Sequence, residues 1–300
     1  MKIYKNNYEG YIFLLLAQFM VGVSIVGFKV LLQSTPEVII LITRFTIGFL
    51  FLLVLHWIFK GKFSTLKSLT RTDWLFIIAE ALCAGALFNI LLLSGLHYTS
   101  ASVAGIITSA LPAIVAIFSI VFLKEHMTLS IGLCIVFAIL GLMIINIYSL
   151  HFDSANQIIG DILILLALLP EATYYILTKF HPNKLPVLLV SALITGINIP
   201  IFLFLALFQH HTFYSVISMA QILLLLMVGI SSALFFAFWF LGCKKIRGTA
   251  AGLTATFMPI TTLALSYLFL NETLSILQSF GMLLVILSIV FNARRSLNCQ

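Results

Sequence analysis

Ten apolar stretches, each about twenty residues long, run along the 300-residue chain and are separated by short polar connections. A bilayer core of about 30 Å takes roughly 20 apolar residues per helix. The stretches therefore predict membrane-spanning helices at 10–32, 36–58, 74–96, 101–123, 129–148, 158–179, 186–208, 221–243, 248–270 and 275–293. The longest connections, at 59–73, 149–157 and 209–220, leave no room for a soluble domain. The first apolar run is too long for a signal-peptide core and no small-residue cleavage site precedes it, so it is expected to remain as a span.

Composition supplies the reason for so many spans. Hydrophobic residues make up 62% of the chain and charged residues 8%, with a mean hydropathy of +1.19. A soluble domain is about 45–50% apolar and about 25% charged. So few charges cannot cover a water-facing surface. That excludes a soluble enzyme, a disordered scaffold and a disulfide-stapled secreted domain.

The net charge of +7 would suggest a nucleic-acid partner in a soluble protein. Its placement removes that reading. With ten spans and a cytoplasmic N-terminus, the inner segments hold Lys2, Lys5, Lys60, Lys62, Lys67, Arg71, Lys124, Lys179, Lys184, Lys244, Lys245, Arg247, Arg294 and Arg295. The outer loops hold none. This asymmetry follows the positive-inside rule and predicts that both termini are cytoplasmic. No nucleic-acid partner is expected. Cys83, Cys134, Cys243 and Cys299 lack the spacing of a metal site or redox pair, and His210 and His211 have no further ligand nearby, so no metal is expected.

The two halves of the chain can be laid over each other. An offset of 150 places Gly10 on Gly160, Ala17 on Ala167, Lys29 on Lys179 and Pro36 on Pro186. An offset of 147 places Gly95 on Gly242, Ala104 on Ala251, Gly105 on Gly252, Pro112 on Pro259 and Glu125 on Glu272. The chain thus divides into residues 1–150 and 151–300, with five spans in each. Because five is odd, the second copy enters from the opposite face. Inverted repeats of this kind characterise secondary transporters, which hold substrate near the midplane between the copies.

The segment Glu272–Ser288, ETLSILQSFGMLLVILS, is close to the E-x-L-T/S-x-x-Q-x-x-G-x-x-L-I ending of the EamA family of the drug/metabolite transporter superfamily. Glu125–Gly141 is its partner copy, with Cys134 where the second copy has Gly281. Arg44-Phe45 in span 2 is like the family's Arg-Phe pair, and Phe28-Lys29 lies near the outer end of span 1. The chain resembles this family over essentially its whole length. The resemblance implies an all-α membrane fold whose spans 1, 3, 4, 6, 8 and 9 surround a central cavity. It also implies movement of amino acids, other metabolites or drugs, mostly outward.

Ionisable groups inside a bilayer are costly, so each needs a reason. Lys29, Arg44, Glu80 and Glu171 lie within spans, and their formal charges sum to zero, which is compatible with mutual pairing. Glu171 lies roughly 20 Å below the outer end of span 6, near the midplane. Pro170 precedes it and deprives the Leu166 carbonyl of its usual partner. Tyr174, Tyr175 and Thr178 follow. Glu171 is therefore the leading pathway residue, contacting a substrate amine or carrying a coupling proton. Arg44, roughly 12 Å below the outer end of span 2, either lines the pathway or ties span 2 to neighbouring carbonyls. Lys29 either joins the pathway or snorkels to the interface. Glu80 reads as structural or interfacial.

Asn89, Thr108, Tyr175 and Trp239 complete the candidate pathway set, with an aromatic-belt position as the competing reading of Trp239. Pro112, Pro259 and Pro170 are candidate hinges. Glu125 and Glu272 read as structural turn residues, with Thr128 and Ser275 as N-caps of the following spans.

The expected function is secondary transport, with export of a small amino-acid-like or amphipathic metabolite by alternating access. Uptake of a nucleoside-like or cofactor metabolite is the alternative, and an integral-membrane enzyme a remote one. No ATP-motor loop or hydrolase motif occurs in the chain. No cofactor is expected, and a proton gradient is the candidate driving force. The expected partners are the small-molecule substrate and membrane lipid. The expected setting is the bacterial cytoplasmic membrane, as monomer or homodimer.

Overall fold

The computed structural model describes residues 8–61, 63–96, 98, 107–108, 110–126, 128–146, 155–180, 185–208, 218–270 and 275–298. Within them the chain is helical throughout. The helices are α1 (Tyr8–Leu31), α2 (Glu37–Ile58), α3a (Arg71–Ala81), α3b (Phe88–Leu96), α4 (Leu111–Leu123) and α5 (Leu129–Asn146). They are followed by α6 (Ala155–Phe180), α7 (Val187–Ala206), α8 (Met219–Cys243), α9a (Gly248–Thr254), α9b (Phe257–Leu270) and α10 (Ile276–Asn298). A π-helical turn, Leu82–Leu87, joins α3a to α3b, and a 3₁₀ turn, Phe63–Ser68, follows α2. Seven helical segments are long and apolar enough to cross a bilayer. Three shorter apolar helices, Leu111–Leu123, Leu129–Ile144 and Ile276–Asn292, fall within predicted spans 4, 5 and 10.

Helix boundaries follow local chemistry. Pro36 and Pro186 precede α2 and α7 with nearly equal backbone angles, φ −59° and −58°. Capping boxes start α3a (Thr70 with Asp73), α8 (Ser218 with Gln221) and α10 (Ser275 with Gln278). Thr128 Oγ1 accepts from the Ile131 N–H at 3.4 Å at the start of α5, so Thr128 and Ser275 are both N-caps, as expected. Lys124, with φ 53°, ends α4 in the left-handed conformation.

The packing order has an internal symmetry. α1 lies on α8 as α6 lies on α3b, α1 on α9b as α6 on α4, and α2 on α8 as α7 on α3a. The remaining main pairs, α2 with α7, α4 with α9a and α5 with α10, exchange into themselves. The closest approaches obey the same exchange. A Cβ added at Gly242 would lie 2.5 Å from Leu14 Cγ and 2.9 Å from the Gly10 carbonyl oxygen. One added at Gly95 would lie 2.6 Å from Ile164 Cγ1 and 2.9 Å from the Gly160 carbonyl oxygen. These are the glycines that the sequence offsets pair. Between α5 and α10, Gly141 faces the Gly281 carbonyl, and in the equivalent place Ser288 Oγ donates to the Cys134 carbonyl at 2.9 Å. Large apolar side chains on the outside, among them Leu50, Trp57, Leu203, Leu223 and Leu287, form the surface that lipid would cover.

Overpacking a close helix contact costs about 1–3 kcal/mol. Gly95→Val and Gly242→Val are therefore expected to lower the thermal midpoint of the detergent-solubilised protein by similar amounts, read by intrinsic fluorescence. A loss in one and none in the other would break the equivalence of the α3b–α6 and α1–α8 contacts.

Candidate functional site

Polar side chains from several helices converge at one aromatic-lined place in the interior of the bundle. Tyr174 and Tyr175 on α6 and Trp239 on α8 are buried together, with Tyr175 and Trp239 ring centroids 3.9 Å apart and Tyr174 and Trp239 stacked at 6.3 Å. Phe235, Phe236 and Phe240 close round them. One turn before, as the i, i+4 spacing of a helix dictates, Glu171 Oε1 accepts a hydrogen bond from the Tyr175 hydroxyl at 3.3 Å. Gln18 on α1 faces the Tyr175 hydroxyl, and Glu80 on α3a, fully buried, lies within electrostatic reach of Tyr174. Four helices thus deliver polar groups to one place.

Three of those groups are short of partners. Gln18 Nε2, the Tyr174 hydroxyl and Trp239 Nε1 are buried with no hydrogen-bond partner. Buried polar atoms are nearly always satisfied, so a cluster of exceptions marks a place for water or ligand. One buried atom each of Arg44, His56, Ser119, Asp161, Ser191, Asn198 and Asn292 is also without a partner, while other interior polar groups pair. Ser24 Oγ on α1 lies 2.9 Å from Ser231 Oγ and 3.3 Å from Ser232 Oγ on α8. Asn198 Nδ2 on α7 donates to the Ala81 carbonyl at 3.0 Å, just before the π turn.

The sequence candidates divide into those the cluster gathers and those it does not. Glu171, Tyr175 and Trp239 belong to it. Trp239 is fully buried, so the aromatic-belt reading fails. Glu80 belongs as well, beyond the structural reading drawn from its position near the end of span 3. Arg44 stays outside. Its guanidinium carbon lies 5.1 Å from the Phe45 ring centroid and 5.6 Å from that of Phe28, and no ion pair joins it to Glu171 among the described residues. Charge neutrality within the spans therefore does not come from pairing of those two. Lys29 is exposed in the last turn of α1. Asn89 is buried but spends its Nδ2 on the Gly85 carbonyl of its own helix at 2.6 Å, within the π turn. Thr108 is half-buried, while the neighbouring Gly105 and Ser109 lie outside the described residues.

The prolines behave unequally. α9 is interrupted at Ala255–Thr256, where Ala255 N donates to Gly252 O and Thr256 N to Leu253 O in tightened i, i−3 bonds, four and three residues before Pro259. Thr254 and Thr256 hydroxyls donate to the Ala251 and Leu253 carbonyls. Pro112 stands in the same way, as the second residue of α4 after a tightened turn in which Ala110 N donates to Ile107 O, with Ile107 and Thr108 helical before it. Pro170 leaves α6 continuous.

Below the aromatic cluster, the turn between α8 and α9a is held from three sides. Lys179 Nζ on α6 donates to the Cys243 and Ile246 carbonyls, and Lys245 pairs with Glu9 on α1. The Glu125 carboxylate, from the α4–α5 turn, accepts from Gly248 N at 2.7 Å and from Thr249 N and Oγ1 at 3.0 Å. Glu125 is thus the cap of α9a in the other half of the chain, beyond its reading as a local turn residue. Glu272 lies outside the described residues.

The sequence model of the EamA-like transporter family matches residues 8–147 and again residues 158–294. The chain belongs to this family. A Bacillus subtilis (strain 168) protein named Uncharacterized transporter YetK is 27% identical over 286 residues, spanning 94% of this chain and 86% of that protein. A second from the same organism, Uncharacterized transporter YcxC, is 30% identical over 201 residues, 67% of this chain and 63% of that protein. An Archaeoglobus fulgidus protein named Uncharacterized transporter is 27% identical over 284 residues, 91% of this chain and 95% of that protein. A solved structure titled only "Crystal structure of protein" shares the fold with a TM-score of 0.79 at 14% identity, covering 95% of this chain and 98% of that one.

A lost helix cap costs about 0.5–2 kcal/mol. Glu125→Ala, which strips two α9a N–H groups and the Thr249 hydroxyl of their acceptor, is expected to lower the thermal midpoint in detergent by several degrees. Glu125→Gln, which keeps one acceptor oxygen, is expected to lose less. Equal midpoints for wild type and Glu125→Ala would remove the capping role.

Proposed function

We propose that this EamA-family transporter is a secondary exporter of a small amino-acid-like or amphipathic metabolite, binding it at the Glu171–Tyr175–Trp239 cluster. The carrying observation is the convergence of buried polar side chains from α1, α3a, α6 and α8, with Gln18 Nε2, the Tyr174 hydroxyl and Trp239 Nε1 left without a hydrogen-bond partner. A transporter needs polar groups that are left for its cargo, and a purely structural bundle would have paired them.

Ten spans in two inverted five-helix repeats, residues 1–150 and 151–300, supply the alternating-access frame. The exchange symmetry of the helix contacts supports that division, as does the seven-plus-three set of apolar helices. The Lys and Arg distribution supports cytoplasmic termini, and this reading takes the membrane to be the cytoplasmic membrane of a bacterial cell. In that frame the clamp on the α8–α9a turn closes the cytoplasmic end, and the bends before Pro112 and Pro259 are where α4 and α9 hinge. No cofactor enters this reading, and a proton gradient is the driving force it assumes. Outward direction rests on the family tendency.

Metabolite profiling of cells overproducing the protein tests this directly. Wild type is expected to shift at least one amine- or amino-acid-like solute from cell to medium, and Glu171→Gln, at matched membrane abundance, to abolish the shift. No solute moved outward across a broad panel would overturn the exporter reading, and a solute accumulated inward would replace it with uptake. Reporter fusions are expected to place both termini inside. A C-terminus outside would overturn the ten-span topology.

A further inference from the structure

We propose that the connection between α2 and α3a is a docking surface for the headgroup of an anionic phospholipid, which Lys60, Lys67 and Arg71 hold by its phosphate while Trp57 and Trp74 lie against its glycerol and acyl region. The inference needs α2 and α3 to sit in a membrane and is independent of what the chain transports.

The connection is firmly built. At the end of α2, Gly61 N donates to the His56 carbonyl at 2.8 Å and Lys60 N to the Trp57 carbonyl at 2.9 Å, with Lys60 in the left-handed conformation at φ 53°. A Cβ added at Gly61 would lie 2.1 Å from His56 Cε1, so the turn closes onto that buried ring. The Phe63 ring meets His56 edge-on at 4.7 Å, and Leu66 and Leu69 pack against the main core. Lys67 falls between those two leucines and is exposed, and Arg71 is exposed as the first residue of α3a.

The charges on this surface lack a counter-charge. The side chains of Lys60, Lys67 and Arg71 make no hydrogen bond or ion pair among the described residues. The acidic residue of the stretch, Asp73, is buried, and its carboxylate accepts from the Thr70 N–H and hydroxyl at 2.8 Å. Arg71 stands at the positive end of the α3a dipole, with Lys67 one turn earlier, so the local field favours an anion. At the α8–α9a turn, by contrast, basic groups serve the fold: Lys245 pairs with Glu9, and Arg247 Nη2 donates to the His126 carbonyl at 3.4 Å.

What flanks the charges selects a lipid over a soluble anion. Trp57, Ile58 and Phe59 on one side and Trp74 and Leu75 on the other are exposed. Tryptophan at the end of a span belongs to the membrane–water interface, and basic clusters at that level attract anionic headgroups. The equivalent connection of the second half, 207–218, contains no Lys or Arg, so the fold itself does not require basic residues here. Topology accounts for the sign of these residues but not for the exposed rings beside them.

Trp57 and Trp74 are two of the three tryptophans, and the third, Trp239, is fully buried, so intrinsic fluorescence reads this surface. The full-length protein is reconstituted in phosphatidylcholine vesicles, and brominated phosphatidylglycerol or brominated phosphatidylcholine is titrated in as a contact quencher. Brominated phosphatidylglycerol is expected to associate at least tenfold more tightly. Lys67→Gln, which alters no helix cap and no core contact, is expected to cut that preference about fivefold, the scale of one basic residue near an anionic surface. Lys60→Gln, Lys67→Gln and Arg71→Gln together are expected to bring it below twofold, and Lys67→Gln alone carries the test if that triple variant fails to fold. Lys244→Gln, at an exposed position at the end of α8, is expected to leave the preference unchanged. Equal quenching of the wild type by the two lipids would overturn the inference. An equal loss in Lys244→Gln would do the same, because the preference would then belong to net charge. Relief of the quenching by millimolar inorganic phosphate would reassign the surface to a soluble anion and overturn it as well.

Discussion

In hydrocarbon there is no water to satisfy a backbone amide or carbonyl, so every interruption of a helix must be answered by another part of the protein. This chain contains several such interruptions, and most of its long-range polar contacts exist to answer them. Glu125 supplies the acceptor for the start of α9a, Lys179 the donor for the end of α8, and Asn198 the donor for a carbonyl before the π turn in α3. Each repair comes from a distant part of the chain. Breaks and repairs together tie the two halves of the chain into one body.

The same constraint explains why the Glu171 cluster stands out. Ser24 finds partners in Ser231 and Ser232 across the α1–α8 contact. Gln18 Nε2, the Tyr174 hydroxyl and Trp239 Nε1 find none, although the burial is as complete. The π turn sits immediately after Glu80, and local π geometry of this kind is often retained near functional groups. The twist it puts into α3 lets Asn198 pack against Gly85, whose missing side chain provides the space.

Much of this was legible in the sequence. Hydropathy and basic-residue placement gave the helices, and the offsets of 150 and 147 picked out Gly10, Gly95, Gly160 and Gly242 before their contacts were known. Glu171 with Tyr175 followed from helical spacing. What was not legible was direction. In a helix that is apolar on every side, nothing in the pattern says which face turns inward, so Gln18 gave no signal, Glu80 read as structural or interfacial, and Trp239 stood between the pathway and the aromatic belt. The partners of Glu125 lie 123 residues and more away, and no local pattern encodes them. Arg44 was legible as a rare charge within a span, but not that its guanidinium would lie beside the Phe28 and Phe45 rings.

The pairing of α1 with α8 has a consequence for how the protein is made. Their serine contact joins residues 207 apart in the chain. At about 5–20 residues per second of synthesis, α1 resides in the membrane for roughly 10–40 s before its main neighbour has been translated. During that interval its glycine-bearing face, Gly10 and Gly22 included, meets lipid or the insertion machinery instead of protein. The first half of the chain is therefore a biosynthetic intermediate with an unfilled seam, which closes only when α8 and α9 have been made.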